Sequence, residues 1–296
     1  MSLLRNTLRA AGRLIESMGE RLLPLKIAIL AGFFAVVLWL GMPAARTGSL
    51  FAAPRIEQHS VSTQKNSAKS MPPPAKELAV PFHVAETLNY RVTWASFATA
   101  ASLQVSVPER RNLFGWTTWH FRASLHTQTP VRTLFTIDDE FDSYADAATL
   151  ETHQYEGYLS ELGRKDEFVQ HFLLVGQSPR APGLDVRVLP GTRDPVGILY
   201  ALRAVDWQRT PEFRAPLYDG HNIYQVSARL EAKSDAVTVA AGNFSASRIA
   251  VKLSQPNTQA GDINFQVWLA NTPARTPVQF QSVLPFGSVR AELSRN

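Results

Sequence analysis

The chain has 296 residues, enough for one large domain or two smaller ones. It contains no cysteine, and this absence excludes disulfides, thiolate metal sites, cysteine nucleophiles and lipid attachment through a thiol. Its formal net charge of +5 is confined to the N-terminal part, because residues 1–80 hold ten Lys or Arg against four Asp or Glu, whereas residues 81–296 hold 20 against 21. A near-neutral folded part argues against a nucleic-acid partner.

An apolar segment without charged residues runs from Ile27 to Met42. The basic residues that precede it are Arg5, Arg9, Arg13, Arg21 and Lys26. Because cytoplasmic flanks carry an excess of Lys and Arg, we expect the N-terminus inside and the rest of the chain beyond the membrane. A span usually takes about 20 apolar residues, but Lys26 can extend its side chain to the headgroups. Residues 1–43 are therefore predicted to form a cytoplasmic leader and a membrane segment.

The segment is either a cleaved signal peptide or a retained anchor, and the chemistry of the cleavage site distinguishes the two. Cleavage after Ala45 would place Pro43 at the minus-three position, and cleavage after Ala53 would put Pro54 directly downstream. Neither site is favourable, so we expect a single-pass inner-membrane protein with its domain in the periplasm. The alternative is a domain secreted to the periplasm after cleavage. A buried core helix fits the length as well, but the basic flank argues against it.

Residues 44–80 shift in composition to Ala, Ser, Gln, Lys and Pro, with three consecutive prolines at positions 72–74. Such a stretch buries too little apolar surface to offset the entropy of ordering, so we predict a flexible, disordered linker with a stiff polyproline patch. The lysines of this stretch are either solvated charges of a spacer, which we favour, or contacts to an acidic partner such as anionic lipid or polymer. These lysines are Lys65, Lys69 and Lys76.

From residue 81 to residue 296, apolar and polar residues alternate with period two, which is typical of strands with one buried face. In one such segment, the predicted buried positions are Trp119, Phe121, Ala123 and Leu125, and the opposite ones are Thr118, His120, Arg122 and Ser124. A small-residue turn is expected at 95–101. About a dozen short strands with turn signals between them are typical of sandwiches and barrels. We therefore predict an all-β domain, built as a strongly curled antiparallel sheet or barrel-like sandwich.

One short helix is predicted to interrupt the strands. Asp194 can cap its first free N–H groups, and Pro195 suits the first helical position. In the sequence DPVGILYALRAVDW, apolar side chains recur at helical spacing over a wide face. Such a face needs a concave apolar surface, so we place the helix over an open end or inside the curl of the sheet.

Several motifs, in their order along the chain, resemble a known bacterial family. They are LNYRVTWASFATAASLQVSV, DDEFDSYADAATLETHQYEG, DPVGILYALR, YDGHNIYQVSARL and VWLANTPARTPVQFQSVLPFGSVRAEL. From about Ala85 to Leu293 the chain is similar to the domain of unknown function (DUF) 3108 family, most specifically at Asp194 with Arg203 and at the Trp268 strand with its following prolines. The resemblance implies a secreted or envelope protein of antiparallel β architecture without an assigned activity. This chain lacks the glycines usual in the family's first hairpin.

The histidines and acidic residues do not have the spacing of a metal site. His120 and His126 share a predicted strand face but lie about 20 Å apart along it, so they cannot bind one metal, and we expect a solvent-facing polar row. The densest acidic cluster comprises Asp138, Asp139, Glu140, Asp142 and Asp146. It lacks the spacing of a calcium loop, so we favour a solvated strand face, with Asp139 turned inward toward an arginine, over calcium binding. No metal and no cofactor are predicted.

The sequence contains no nucleophile elbow and no glycine-rich phosphate loop, so no catalytic residue is assigned and the protein is not expected to be an enzyme. We expect the domain to bind an apolar or amphipathic envelope component, lipid-like or polymer-like, in its curled sheet. Asp194, Tyr200 and Arg203, on or beside the surface of the helix, are the predicted ligand-binding residues, although Arg203 could instead pair with an acidic strand residue. Two alternatives stay open: a scaffolding module of an envelope complex with unknown protein partners, and an unrecognised cell-wall hydrolase.

Overall fold

The computed structural model describes residues 76–95, 97–174, 177–181, 183–256, 261–284 and 287–295. The strands in this part of the chain are β1 Thr87–Trp94, β2 Phe97–Leu113, β3 Trp116–Thr127, β4 Asp138–Asp146, β5 Thr152–Glu161, β6 Arg164–Leu174, β7 Asp185–Val188, β8 Glu212–Tyr218, β9 Ile223–Val239, β10 Gly242–Ser254, β11 Ile263–Ala270, β12 Pro277–Leu284 and β13 Gly287–Leu293. The described residues also form two helices, the one-turn α1 Val131–Leu134 and the longer α2 Pro195–Ala204. The predicted all-β class is confirmed.

The predicted membrane segment at Ile27–Met42 and most of the predicted linker lie outside the described residues. Within the described part, no helix combines the length and the apolar character that a membrane span requires.

The strands form a single sheet in the order β7-β6-β5-β4-β3-β2-β1-β13-β12-β11-β10-β9-β8. The first and last strands are neighbours in the middle of this sheet, with Tyr90 opposite Leu293. Neighbouring strands are antiparallel except for the β6–β7 pair. The segment before α2 adds to the edge strand β8, because the N–H of Arg193 donates to the carbonyl of Pro216 (3.1 Å) and its carbonyl accepts from the N–H of Tyr218 (2.9 Å). The sheet therefore curls into a nearly closed barrel.

The alternating pattern places one face of each strand inside this barrel. On β3, Trp119, Phe121, Ala123 and Leu125 are all buried, as predicted. The turn expected at 95–101 is shorter than predicted, since β2 already begins at Phe97. Small residues in this segment indicated a turn, but two of them, Ala100 and Ala101, are completely buried in the strand.

Two elements were not predicted from the sequence, the short helix α1 and strand β8. Strand β8 contains Pro216, which lacks a backbone N–H and weakens a strand signal. Proline is tolerated there because β8 lies at the edge of the sheet.

Helix α2 lies inside the curl of the sheet. As predicted, Asp194 is its N-cap, with Oδ1 accepting the N–H groups of Val196 and Gly197 at 2.8 Å each, and Pro195 is the first helical residue. Every residue from Pro195 to Arg203 is buried. The ring of Tyr200 stacks on Phe121 with 3.8 Å between centroids. The helix therefore occupies the space that an open barrel would leave for a ligand.

Residues 77–86, here called the N-terminal strap, cross one end of the barrel before β1. The ring of Phe82 makes edge contacts with three core rings at 5.0 to 5.3 Å, those of Trp119, Phe121 and Tyr200. The N–H of Leu78 donates to the carbonyl of Ala147 (3.0 Å), and Glu77 pairs with Arg110 at 2.6 Å. The strap therefore already contacts the barrel at Glu77 and Leu78.

Candidate functional site

A groove with a volume of about 610 Å³ lies along β9, β10, β11 and β12. Most of its lining side chains point away from the core, at positions that alternate with buried ones such as Val251 and Val267. Its volume falls in the range of roughly 300 to 1,000 Å³ that is usual for small-molecule sites. The groove is therefore a concave feature on the outer face of these four strands.

Two rows of side chains cross the groove at right angles to the strands. In the first row, Arg229 lies opposite Ala250, Ala250 opposite Gln266, and Gln266 opposite Gln281. Because neighbouring strands are about 4.8 Å apart, this row of four is about 14 Å long. The second row contains Ser227, Lys252 and Asn264. An extended ligand lying across the strands would therefore contact one side chain on each of them.

The charges that border the groove are compensated. The carboxylate of Glu231 accepts a hydrogen bond from Nε2 of Gln266 (2.7 Å) and lies 3.7 Å from the guanidinium of Arg229. Nζ of Lys252 is 3.1 Å from the carboxylate of Asp262. Val283, 76% exposed, adds an apolar side chain to the lining. The groove therefore presents amides, a hydroxyl and paired charges together with apolar surface, and no strong field of one sign.

Asp194, the first of the three predicted ligand-binding residues, is completely buried. Besides capping α2, its Oδ2 accepts hydrogen bonds from the hydroxyls of Ser143 (2.5 Å) and Thr152 (2.6 Å). Burial raises the pKa of Asp194, and these hydrogen bonds oppose that effect. A Cβ on Gly197 would lie 3.1 to 3.3 Å from these side-chain oxygens, so the cap is tightly packed.

Tyr200 and Arg203, the other two, are also completely buried and do not lie on an exposed helix surface. The guanidinium of Arg203 donates two hydrogen bonds to Glu86, at 2.6 and 3.0 Å, and one to the carbonyl of Ala274 (3.1 Å). Burial raises the pKa of the Tyr200 phenol. The sequence offered an ion pair with an acidic strand residue as the competing role of Arg203. An ion pair is formed, but its partner Glu86 belongs to the N-terminal strap and precedes β1. A ligand-binding role of the three residues stays a prediction.

Within the described residues, four histidines lie against aspartates on the outer face of β3 to β7. Nε2 of His120 is 2.5 Å from Oδ1 of Asp142. The other pairs are His126 with Asp138, His153 with Asp146 and His171 with Asp185, at 3.0 to 3.3 Å. The expected solvent-facing row is wrong for His120, which is 6% exposed and stacked on Tyr144 at 4.6 Å. Period-two alternation shows which side chains point away from the core, but it does not show whether side chains of neighbouring strands cover them.

Residues of the acidic cluster form hydrogen bonds and ion pairs within the fold. Asp142 accepts hydrogen bonds from His120 and Arg122; burial alone would raise its pKa, but these two partners hold the pKa below its usual value. Asp139 is buried, as predicted, and accepts the N–H of Ser160 at 2.9 Å; the arginine partner expected for it stays a prediction. Asp146 accepts two N–H groups of the turn after β4. Across the described residues, no three His, Asp or Glu side chains are arranged to hold a metal ion.

Comparison with known families decides the relationship of this chain. A family model described as "Protein of unknown function (DUF3108)" matches residues 89–294. The chain belongs to the DUF3108 family. The resemblance inferred from the motifs is therefore confirmed, and the DUF3108 match covers all thirteen strands except the first residues of β1. None of the curated proteins matches the chain.

Three solved structures are similar to this DUF3108 chain at low sequence identity. A β-barrel-like DUF1849 protein from Brucella abortus has a TM-score of 0.47 and 12% identity, over 73% of this chain and 98% of its own. A proposed lipoprotein from Parabacteroides distasonis has a TM-score of 0.37 and 10% identity, over 74% and 99%. A proposed exported protein with a YmcC-like fold from Bacteroides fragilis has a TM-score of 0.33 and 11% identity, over 74% and 99%.

The sequence did not identify the groove, although it contained part of the signal. The polar positions of β9 to β12 are visible in the alternation, including Gln266 on β11 and Gln281 on β12. Which of them lie side by side depends on strand order and register, and these are set by pairing between residues distant in sequence.

Proposed function

We propose that this DUF3108 protein is an exported envelope protein whose β domain binds an amphipathic, polymer-like component of the cell envelope in the groove of β9 to β12. The observation that carries this proposal is the groove of about 610 Å³ with its two rows of side chains, which are polar except for Ala250 and which cross four strands in the first row and three in the second.

The interior of the barrel is a poorer place for such a ligand. Helix α2 fills the curl, and its side chains pack against the aromatic core, as the 3.8 Å stacking of Phe121 on Tyr200 illustrates. Interiors packed in this way hold few voids larger than a water molecule. The expectation of a ligand bound within the curl is therefore replaced by a ligand bound outside it.

The side chains of the groove suit a polymer rich in hydroxyl or amide groups. Gln266, Gln281 and Asn264 each offer a donor and an acceptor, and the compensated charges of Arg229 and Lys252 do not demand an anionic ligand. Val283 provides apolar contact for the less polar faces of the same ligand. A glycan chain combines these two properties.

The N-terminal segment supports an envelope location. Its basic leader and apolar run indicate export, and we propose that it is retained as an inner-membrane anchor, which would keep the domain on the periplasmic side.

Binding to isolated peptidoglycan sacculi and to lipopolysaccharide, measured by co-sedimentation of the detergent-solubilised full-length chain, tests the proposal. Replacing Gln266 and Gln281 together by alanine removes two hydrogen-bonding side chains worth about 1 kcal/mol each. We expect the affinity for the bound polymer to fall on the order of 10- to 30-fold.

A matched control is Gln104→Ala, since Gln104 lies on β2, outside the groove, and donates to Asn89 at 2.8 Å. The control variant should bind like the unmodified chain. If the chain bound neither polymer, or if the double variant bound as tightly as the control, the groove would not be the binding site.

A further inference from the structure

The tip of the β2–β3 hairpin exposes two aromatic side chains. Phe114 is 42% exposed and Trp116 is 45% exposed. Phe114 and Gly115 form the two-residue turn, with φ of +54° and +86°, values that hairpin turns usually meet with Asn-Gly or Asp-Gly. A bulky aromatic residue at such a position is uncommon. The turn therefore displays an aromatic ring where a small polar residue would be the easier choice.

Both rings are held in place by contacts on one side. The ring of Phe114 meets His171 edge-on with 4.9 Å between centroids, and the guanidinium of Arg180 lies 4.6 Å from the ring of Phe114. The ring of Trp116 lies against His153 at 5.3 Å. Since each ring still exposes more than two fifths of its residue surface, the aromatic surface is both oriented and accessible.

The N-terminal strap joins the domain beside this hairpin. The N–H of Leu78 donates to the carbonyl of Ala147, and the N–H of Ala147 donates to the carbonyl of Thr117, the residue after Trp116. Leu78 is itself 42% exposed. We call the exposed side chains of Leu78, Phe114 and Trp116 the hairpin patch. The chain that leads back to the apolar segment at Ile27–Met42 therefore leaves the domain at the hairpin patch.

We propose that the hairpin patch docks on the bilayer that holds the chain's own N-terminal segment, with the two aromatic rings at the level of the lipid headgroups. Tryptophan and other aromatic side chains favour this interfacial region. Arg180 beside Phe114 supplies a cation for anionic phospholipid, whereas Arg111, three residues before the turn, is paired with Glu109 at 3.6 Å. The proposal rests on retention of the membrane segment and not on the ligand proposed for the groove.

Docking of the hairpin patch would orient the whole domain. Strand β2 runs from Phe97, paired with Trp94, to Leu113 beside the patch. Trp94 also pairs with Val289 of β13, and Val283 pairs with the neighbouring Ser288, so Val283 lies toward the other end of the barrel from the patch. With the patch on the bilayer, this end of the groove would face away from the inner membrane.

The absence of cysteine from the chain allows a single labelled position. The full-length Phe114→Cys variant, carrying an environment-sensitive fluorophore, is reconstituted into vesicles of phosphatidylethanolamine and phosphatidylglycerol that contain nitroxide-labelled lipid. We expect the lipid nitroxide to quench at least half of the fluorescence, with less quenching when phosphatidylcholine replaces phosphatidylglycerol.

Leu162→Cys is the matched control. Leu162 occupies the same position of another two-residue turn, before Gly163, with φ of +49° and 49% exposure, but it lies at the β5–β6 hairpin. Its label should not be quenched. Equal quenching of both labels, quenching of position 162 alone, or failure of the chain to float with the vesicles would overturn the proposal. Disulfide formation between two unlabelled copies of the Phe114→Cys variant, in place of quenching, would instead indicate self-association and also overturn it.

Discussion

Asp219, the residue directly after β8, is almost completely buried, with 1% exposure. It accepts the N–H groups of His221 and Asn222 at 2.7 and 2.6 Å, which closes the turn into β9. Burial raises its pKa from 3.8 to about 6, although these hydrogen bonds work in the opposite direction. Asp138, on the outer face, shows the reverse behaviour, because its hydrogen bonds with Arg132 lower its pKa to about 2.

These pKa values predict opposite effects of pH on stability. Between about pH 4 and pH 6 the folded chain binds a proton at Asp219 that the unfolded chain has lost, so the free energy of unfolding should fall by about 3 kcal/mol as pH rises through this window. Asp219→Asn should remove that slope, as measured by urea unfolding of the variant and the unmodified chain at several pH values.

Asp138→Asn is the control variant, because its pH dependence of stability should have the opposite sign. The stabilisation from Asp138 is present above about pH 4 and is lost as pH falls toward 2, so this variant should differ from the unmodified chain above pH 4 and approach it in acid. Identical pH profiles for Asp219→Asn and the unmodified chain would show that Asp219 does not titrate in this window.

At the scale of elements, α2 is tied to the N-terminal strap by a buried ion pair. Arg203 has no exposed side-chain surface, and Glu86 has 10%. The same guanidinium bonds to Ala274 in the β11–β12 connection. One arginine therefore connects the central helix to two segments at one end of the barrel, which explains why a polar residue lies within an otherwise apolar helix.

Removal of Glu86 should be strongly destabilising. Glu86→Ala leaves the Arg203 guanidinium buried without its carboxylate, which costs about 3 to 5 kcal/mol in comparable cases. The double variant Glu86→Leu with Arg203→Met replaces both charges by apolar groups and should recover most of that loss. Urea unfolding of both variants measures the difference; a Glu86→Ala variant within about 1 kcal/mol of the unmodified chain would contradict this role of the pair.

At the scale of the whole molecule, the barrel depends on its last strand. β13 lies between β1 and β12 and joins the two halves of the sheet. It contributes the buried side chains of Val289, Ala291 and Leu293 to the core. The β1–β13 contact links residues about 200 positions apart, so neither half can complete its hydrogen bonding without the C-terminus.

Truncation after Leu284 should therefore abolish cooperative folding. The deletion exposes β1 and β12 as new edges and removes three core side chains, where the larger ones, Val and Leu, are each worth about 1.5 to 3 kcal/mol. Circular dichroism should show loss of the sheet and of a single thermal transition. Deletion of only the last two residues is the control and should leave the transition in place; a cooperative transition in the longer truncation would show that β13 is dispensable.

The sequence by itself determined the all-β class, most strand positions and the start of α2. These depend on local features: period-two alternation, as at Trp119 to Leu125, and a cap formed by adjacent residues, Asp194 and Pro195. Its ordered motifs also identified the family. Local patterns of this kind do not require knowledge of any distant contact.

Only the tertiary structure decided which polar side chains are covered and which lie side by side. His120 and Arg203 are polar in the sequence, yet both are buried, because side chains from elements distant in sequence cover them. The groove combines residues of four strands, and the hairpin patch combines Leu78 of the strap with the β2–β3 turn. Strand order and register bring these residues together, and both arise from pairing between distant segments, which a local pattern does not encode.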